Sequence, residues 1–249
     1  MTRIAYLRPV ADSPRSLEMT EHLQRAASPG TEVSVESLSS AIPTHLEYHT
    51  YEALALGEIV GVVRRASRTH DAVVLGGFYD MGLRAAREIS GPAVVTAACE
   101  SSCLLARQLG TRFSILVGRE KWIPRVMDNV DRYGHRNALA SIRPVGLGVE
   151  EVHHVDEPLD RFLVEGRRAL DDGAEVIVLG CTAFFGLHAE LQGELGVPVI
   201  DAMIASLRMA EMLAGTASSF DWRIGRTGGY EPPPEEEIRR FHLFEEVGE

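Results

Sequence analysis

Val74-Leu-Gly-Gly-Phe-Tyr-Asp-Met-Gly-Leu83 and Val178-Leu-Gly-Cys-Thr-Ala-Phe-Phe-Gly-Leu187 align without a gap. Each stretch closes an apolar run on Val-Leu-Gly and reaches Gly-Leu after the same number of residues. Two further matches follow in order. Gly91-Pro-Ala-Val-Val-Thr-Ala97 shares a pattern with Gly196-Val-Pro-Val-Ile-Asp-Ala202, and Arg3-Ile-Ala-Tyr-Leu7 echoes Arg112-Phe-Ser-Ile-Leu116. The offset between the halves stays nearly constant, which is the signature of an internal duplication. The competing explanation is that any two strand–helix units share Val, Leu and Gly.

Outward from this repeat, short apolar runs alternate with amphipathic segments, the pattern of parallel strands joined by helices. Strands are expected at Ile4–Leu7, Glu32–Leu38, Ala72–Leu75 and Ala93–Ala97, and again at Phe113–Val117, Ala140–Val145, Val176–Leu179 and Val197–Ile200. Trp122, Ile123, Val126 and Val130 carry helical spacing, and Ser13-Pro14 reads as a cap and first-turn proline opening the first helix. The fold class expected is α/β, with two pseudosymmetric lobes, each a parallel four-stranded sheet flanked by helices. The active site then falls in the cleft between them.

The chain has 249 residues, enough for one large α/β unit or two lobes. Its net charge of -11, with no basic stripe, argues against nucleic acid and anionic membranes as partners, since phosphate binding needs clustered Lys and Arg. No apolar run has the roughly 18 residues of a membrane span, and the first residues lack the pattern of a signal peptide. Three cysteines without CxxC spacing (Cys99, Cys103 and Cys181) fit neither a disulfide framework nor a zinc site. A cytoplasmic setting and a homo-oligomeric assembly are expected.

Ligands of open parallel sheets bind at the carboxyl ends of the strands. In two facing lobes, Gly77 and Cys181 occupy equivalent strand-end positions on opposite walls. The repeat thus singles out one thiol and an empty place across from it. A helix-forming stretch near 186–195 follows Cys181, and a thiol near a helix N-terminus feels the positive end of its dipole, which lowers the pKa from about 8.5 towards neutrality. The amides of Thr182 and Ala183, with the Thr182 hydroxyl, can hold a carboxylate or enolate oxygen. The same position equally suits a buried structural cysteine. Phe78 and Tyr79 follow Gly77, and Asp80 reads either as a helix cap or as an acid.

These segments, together with Pro92-Ala-Val-Val-Thr-Ala-Ala-Cys-Glu100, Gly110-Thr-Arg-Phe-Ser114 and Pro198-Val-Ile-Asp201, resemble the Asp/Glu/hydantoin racemase superfamily of cofactor-independent isomerases. The resemblance runs over nearly all of the chain. It implies one lobe from 1–98 plus 208–249 and a second from 99–207, with no cofactor and no metal. The substrate it implies is a small carboxylate, amino acid or hydantoin-like molecule. In racemases of this family two cysteines flank the carbon that is inverted. Cys181 falls on the second position, whereas Gly77 stands where the first cysteine belongs. One thiol with a facing glycine is similar to arylmalonate decarboxylase, although Phe78-Tyr79-Asp80-Met81-Gly82 resembles the Phe-x-Asp-Pro-Gly of hydantoin and allantoin racemases more closely.

Several roles stay open on the sequence. Cys99, at the neighbouring strand end, either swings into the vacancy at Gly77 or serves packing. Arg8 stands where hydantoin-racemase relatives tend to place Asn-Pro-Asn-Thr, and is either a bidentate carboxylate clamp or an exposed strand-end arginine. Glu100 matches a family glutamate that binds a polar substrate group or caps the next helix. His45, Tyr48 and His49 lie where relatives place substrate-covering residues; the histidine pair lacks an evident third metal ligand. Decarboxylation, Cys181-dependent hydrolysis and non-catalytic carboxylate binding remain alternatives to racemisation.

Overall fold

The structure is a computed structural model and describes residues 1–153 and 158–244. Among these residues the strands form two parallel sheets of four. The first has the order β2-β1-β3-β4, from β1 (Thr2–Ala11), β2 (Thr31–Leu38), β3 (Ala72–Leu75) and β4 (Val94–Ala97). The second repeats that order as β6-β5-β7-β8, from β5 (Phe113–Val117), β6 (Leu139–Pro144), β7 (Val176–Leu179) and β8 (Val199–Asp201). Every adjacent pair in both sheets is parallel. The duplication read from the sequence therefore has a matching topology, strand for strand.

The connecting helices are α1 (Arg15–Ala26), α2 (His49–Ala66), α3 (Leu83–Ile89) and α4 (Ala98–Leu109) in the first half. In the second they are α5 (Ile123–Arg132), α6 (Pro158–Asp171), α7 (His188–Leu195) and α8 (Ala202–Phe220), with α9 (Glu235–Arg240) in the C-terminal segment. The halves exchange their last helices. Ala98, Cys99, Cys103 and Ala106 of α4 are buried in one cluster with Phe113, Ile115, Val176 and Val178 of the second sheet. Met203, Leu207, Ala210 and Ala214 of α8 join Ile4, Tyr6 and Val74 of the first. Each small-residue helix face is thus covered by the other half, so burial of apolar surface welds the two lobes together.

Strand ends differ from the expected ones by one residue at β2, β4 and β6, and by more at β1 and β8. β1 extends to Ala11, because β2 pairs with it along almost its whole length and a register shift falls between Arg8 and Ala11. β8 starts at Val199, since Pro198 has no N–H to donate to the ladder; its carbonyl accepts from Ile177 instead. The Ser13 hydroxyl does not cap α1 but accepts from Arg8 Nη2 at 3.0 Å.

Two glycines bring the chain closest to itself at equivalent points. Gly76 donates to the Leu7 carbonyl at 2.8 Å and Gly180 to the Leu116 carbonyl at 2.7 Å, continuing β3 and β7 by one residue. A Cβ at Gly76 would run into the Tyr6 ring; one at Gly180 would lie 2.8 Å from the Leu116 carbonyl oxygen and 2.6 Å from Ile115. No side chain fits there without moving backbone, which is why both halves keep Val-Leu-Gly. Gly180→Ala is expected to cost about 1–3 kcal/mol of stability by overpacking. Chemical denaturation measures it, and a change below about 0.5 kcal/mol, the range of an unconstrained surface substitution, contradicts the close approach.

Candidate active site

Cys181 stands directly after β7 and Gly180, at the carboxyl end of the second sheet, and is half-buried. It is followed by the three-residue 3-10 turn Thr182–Phe184, with the Phe184 amide donating to the Cys181 carbonyl at 3.1 Å. The Thr182 hydroxyl leaves its own half and donates to the Gly76 carbonyl at 2.7 Å. Phe78 makes the reciprocal move, burying its ring in the second-half core. The two equivalent strand-end loops are thereby held face to face.

Between them lies a cavity of about 120 Å³. Cys181, Thr182, Ala183, Val149 and Trp122 line it from the second half. Arg8, Pro9, Gly77, Phe78, Tyr79 and Met81 line it from the first, with Arg15 of α1 and His45 and Glu47 of the loop before α2. Of the site residues expected from sequence, Cys181, Thr182, Ala183, Gly77, Phe78, Tyr79 and Arg8 come together in this cavity. Gly77 does not leave a vacancy. A Cβ built there would lie 2.8 Å from Pro9 Cγ and 3.0 Å from Met81 Cε, so those two side chains occupy the place of a first cysteine.

Cys99 and Glu100 lie elsewhere. Cys99 is wholly buried in α4, where its thiol pairs with that of Cys103, and it is not among the cavity-lining residues. Cys103 is likewise wholly buried. Glu100 makes a two-pronged ion pair with Arg87, at 2.5 and 3.0 Å, beside a separate, wider cavity. Asp80 does not cap α3, the helix that follows it, whose N-cap is Gly82; it caps the start of α4 from outside that helix, in a left-handed backbone conformation (φ 51°) that a short polar residue tolerates. Its carboxylate accepts from the amides of Cys99 and Glu100, both at 2.8 Å, and from the Tyr133 hydroxyl at 2.7 Å. Burial pushes Asp80 up to about 7 against the pull of those three bonds.

Electrostatics correct the expectation for the thiol. Burial, aided by the field of Glu47, pushes Cys181 up to about 12, against the Ala183 amide and the charge of Arg15. The anticipated helix dipole is absent, because only a short turn follows and α7 begins seven residues later. Cys181 is therefore a thiol at rest. Arg8 is buried and its N–H groups go to Ser16 at 2.5 Å, Ser13 at 3.0 Å and Ser37 at 3.5 Å. A guanidinium so committed to hydroxyls forms a wall more than a carboxylate clamp.

Two participants, Arg15 and Glu47, escaped the sequence reading, and a third, His45, was marked only by its place in the chain. Arg15 stacks on Phe185, 5.0 Å from its ring centroid. Glu47 joins the halves by accepting from Arg119 at 2.8 Å and from the Val149 amide at 2.6 Å. His45 reaches the cavity with its ring 5.5 Å from Tyr51. The loop carrying Glu47 and His45 has neither periodicity nor motif, so only the sequence position of His45 pointed here. His49 is exposed beside Glu52, and among the described residues no group of three or more His, Cys, Asp or Glu is placed to hold a metal ion.

A duplicated, two-lobed α/β chain with a thiol in the inter-lobe cleft defines a class of enzyme. Within it, the family model described as Asp/Glu/hydantoin racemase matches residues 13–210, and the chain belongs to that family. The hydantoin racemase of Paenarthrobacter aurescens is 33% identical over 245 residues, covering 94% of this chain and 99% of that one. The structure of allantoin racemase from Klebsiella pneumoniae superposes with a TM-score of 0.84 at 27% identity, over 94% of each chain. Unliganded arylmalonate decarboxylase shares the fold, with a TM-score of 0.61 at 20% identity over 86% of this chain and 93% of that one. These likenesses make the chain an enzyme of the racemase-type isomerases. Among the described residues no helix is long and apolar enough to cross a membrane.

Alkylation rates check the state of the thiol. Iodoacetamide at pH 7.5 is expected to modify Cys181 at least about 10²-fold more slowly than a free cysteine, because the thiolate is the nucleophile. The rate should climb about tenfold per pH unit to pH 10. A plateau below pH 9 contradicts the raised pKa.

Proposed function

We propose that the protein is a cofactor-independent racemase that moves a proton at the carbon next to a ring carbonyl of a hydantoin-like substrate, with Cys181 as one proton carrier. The observation that carries this reading is the placement of Cys181 at a strand end, inside a cavity closed by the equivalent loop of the other half. A thiol that rests protonated is a ready donor to the enolate formed when such a carbon loses its hydrogen. The Ala183 amide lies beside the sulfur, and backbone donors there suit a developing oxyanion.

The character of the cavity favours a neutral ring over a free amino acid. Phe78, Trp122, Met81 and Pro9 supply apolar walls, and Arg8 is already engaged by serines. A ring carbonyl needs only hydrogen-bond donors, and Arg15, which also lines the cavity with Glu18 no nearer than 3.9 Å, can supply them. The names of the relatives, hydantoin racemase and allantoin racemase, support the same substrate class. Three free cysteines agree with a cytoplasmic setting, and exposed Phe220 and Trp222 offer apolar surface suited to a homo-oligomer.

One observation favours a second reading. With Gly77 in place of a first thiol, protonation from a single face also serves decarboxylation of an arylmalonate-like acid. The two part on their products. Racemisation interconverts enantiomers without loss of carbon; decarboxylation releases carbon dioxide and leaves one enantiomer.

Cys181→Ala is the direct test. Polarimetry on single enantiomers of allantoin and of 5-substituted hydantoins should show racemisation falling by at least about 10²-fold, with the melting temperature held. Racemisation at the rate of the unaltered protein removes Cys181 from the chemistry. Carbon dioxide from phenylmalonate, with no racemisation of any hydantoin, moves the assignment to the decarboxylase.

A further inference from the structure

Inverting a carbon requires that a proton leave one face and another arrive on the opposite face. Cys181 supplies only the second-half wall of the cleft. The facing wall comes from the first-half strand ends and the loop before α2. At Gly77 the space a side chain would take is held by Pro9 and Met81, which carry no exchangeable proton. Cys99 is sealed in α4 and paired with Cys103.

The first-half wall offers few titratable groups. Arg8 and Arg15 are cations at any working pH. Both Glu47 oxygens are taken, one by Arg119 and the other by the Val149 amide. The Tyr79 phenol is pushed up by burial and by the fields of Cys181 and Glu47, so it keeps its proton. His45 is held loosely. Among the described residues its one hydrogen bond is a long contact of 3.5 Å from the Glu47 amide to Nδ1, and its ring leans on Tyr48 and Tyr51 at 6.0 and 5.5 Å. The loop that bears it is fastened to the second half on both sides, by Thr44 to Glu150 at 3.0 Å and by Glu47 to Arg119.

We propose that His45 is the second proton carrier of the cleft, acting from the first-half wall in place of a thiol at position 77. The assignment rests on Cys181 being the first. In the forward direction His45 Nε2 takes the hydrogen: the C–H bond breaks, its electron pair enters the enolate and an N–H bond forms. The Cys181 S–H bond then breaks as its proton reaches the carbon from the other face. The enzyme is left as thiolate and imidazolium, the pair that runs the reverse direction. For Nε2 to accept, the ring carries its resting hydrogen on Nδ1, which gives up only the 3.5 Å contact with the Glu47 amide.

The test compares His45→Gln, Cys181→Ala and a control, His49→Gln, whose side chain is exposed and outside the cavity. Single enantiomers of 5-benzylhydantoin are incubated in D₂O, and both racemisation and loss of the ring-carbon hydrogen are followed above the uncatalysed rate. His45→Gln should lower racemisation by at least about 10²-fold in both directions while still exchanging the hydrogen of one enantiomer. Cys181→Ala should exchange only that of the other, and His49→Gln should match the unaltered protein. Racemisation within threefold of normal in His45→Gln, or its loss of exchange with both enantiomers, overturns the proposal and leaves the thiol's role standing. Normal racemisation in Cys181→Ala overturns the thiol's role itself.

Discussion

The hydrogen bond from the Thr182 hydroxyl to the Gly76 carbonyl joins two points that the internal repeat makes equivalent. Everything chemical in this molecule depends on that meeting. Gly76 and Gly180 prolong their strands by one residue at a spacing that excludes any side chain, so the loops after them emerge at fixed positions. The bond then clasps the loops across the cleft, and Phe78 sinks into the opposite core as its counterweight. Exchange of α4 and α8 between the halves makes the clasp rigid, since opening it would expose apolar faces on both helices.

A thiol placed in this closed cleft behaves differently from one at an open strand end. Burial removes water from the sulfur and the nearby Glu47 carboxylate disfavours a second negative charge, so the thiol stays protonated. That suits a donor to an enolate and poorly suits a nucleophile, which argues against a Cys181-dependent hydrolase. The apolar walls and the serine-bound Arg8 support the proposed substrate, an uncharged ring that would become charged only during reaction.

Much of this was legible in the sequence because it is written in local, repeated constraints. The strand runs, the Val-Leu-Gly turns and the position of Cys181 opposite Gly77 follow from burial and close approach, which leave marks at short range. What was not legible arises from distant partners. The state of the thiol hinges on a three-residue turn that keeps the expected helix, α7, seven residues away, and on Glu47, which lies far away in the chain. Glu100 resembled a ligand until its partner Arg87 was in view, and Cys99 resembled a second thiol until α4 turned it inward. The loop carrying His45 has no regular pattern, because its course is set by contacts with Arg119 and Glu150 of the other half.

The most direct measurement is racemisation of one pure hydantoin enantiomer in D₂O by the unaltered protein, with the isotope in each enantiomer read at low conversion. Two carriers on opposite walls require the new enantiomer to hold solvent deuterium while the unreacted one keeps its hydrogen. Deuterium entering both enantiomers at equal early rates contradicts a cleft with one proton carrier on each wall.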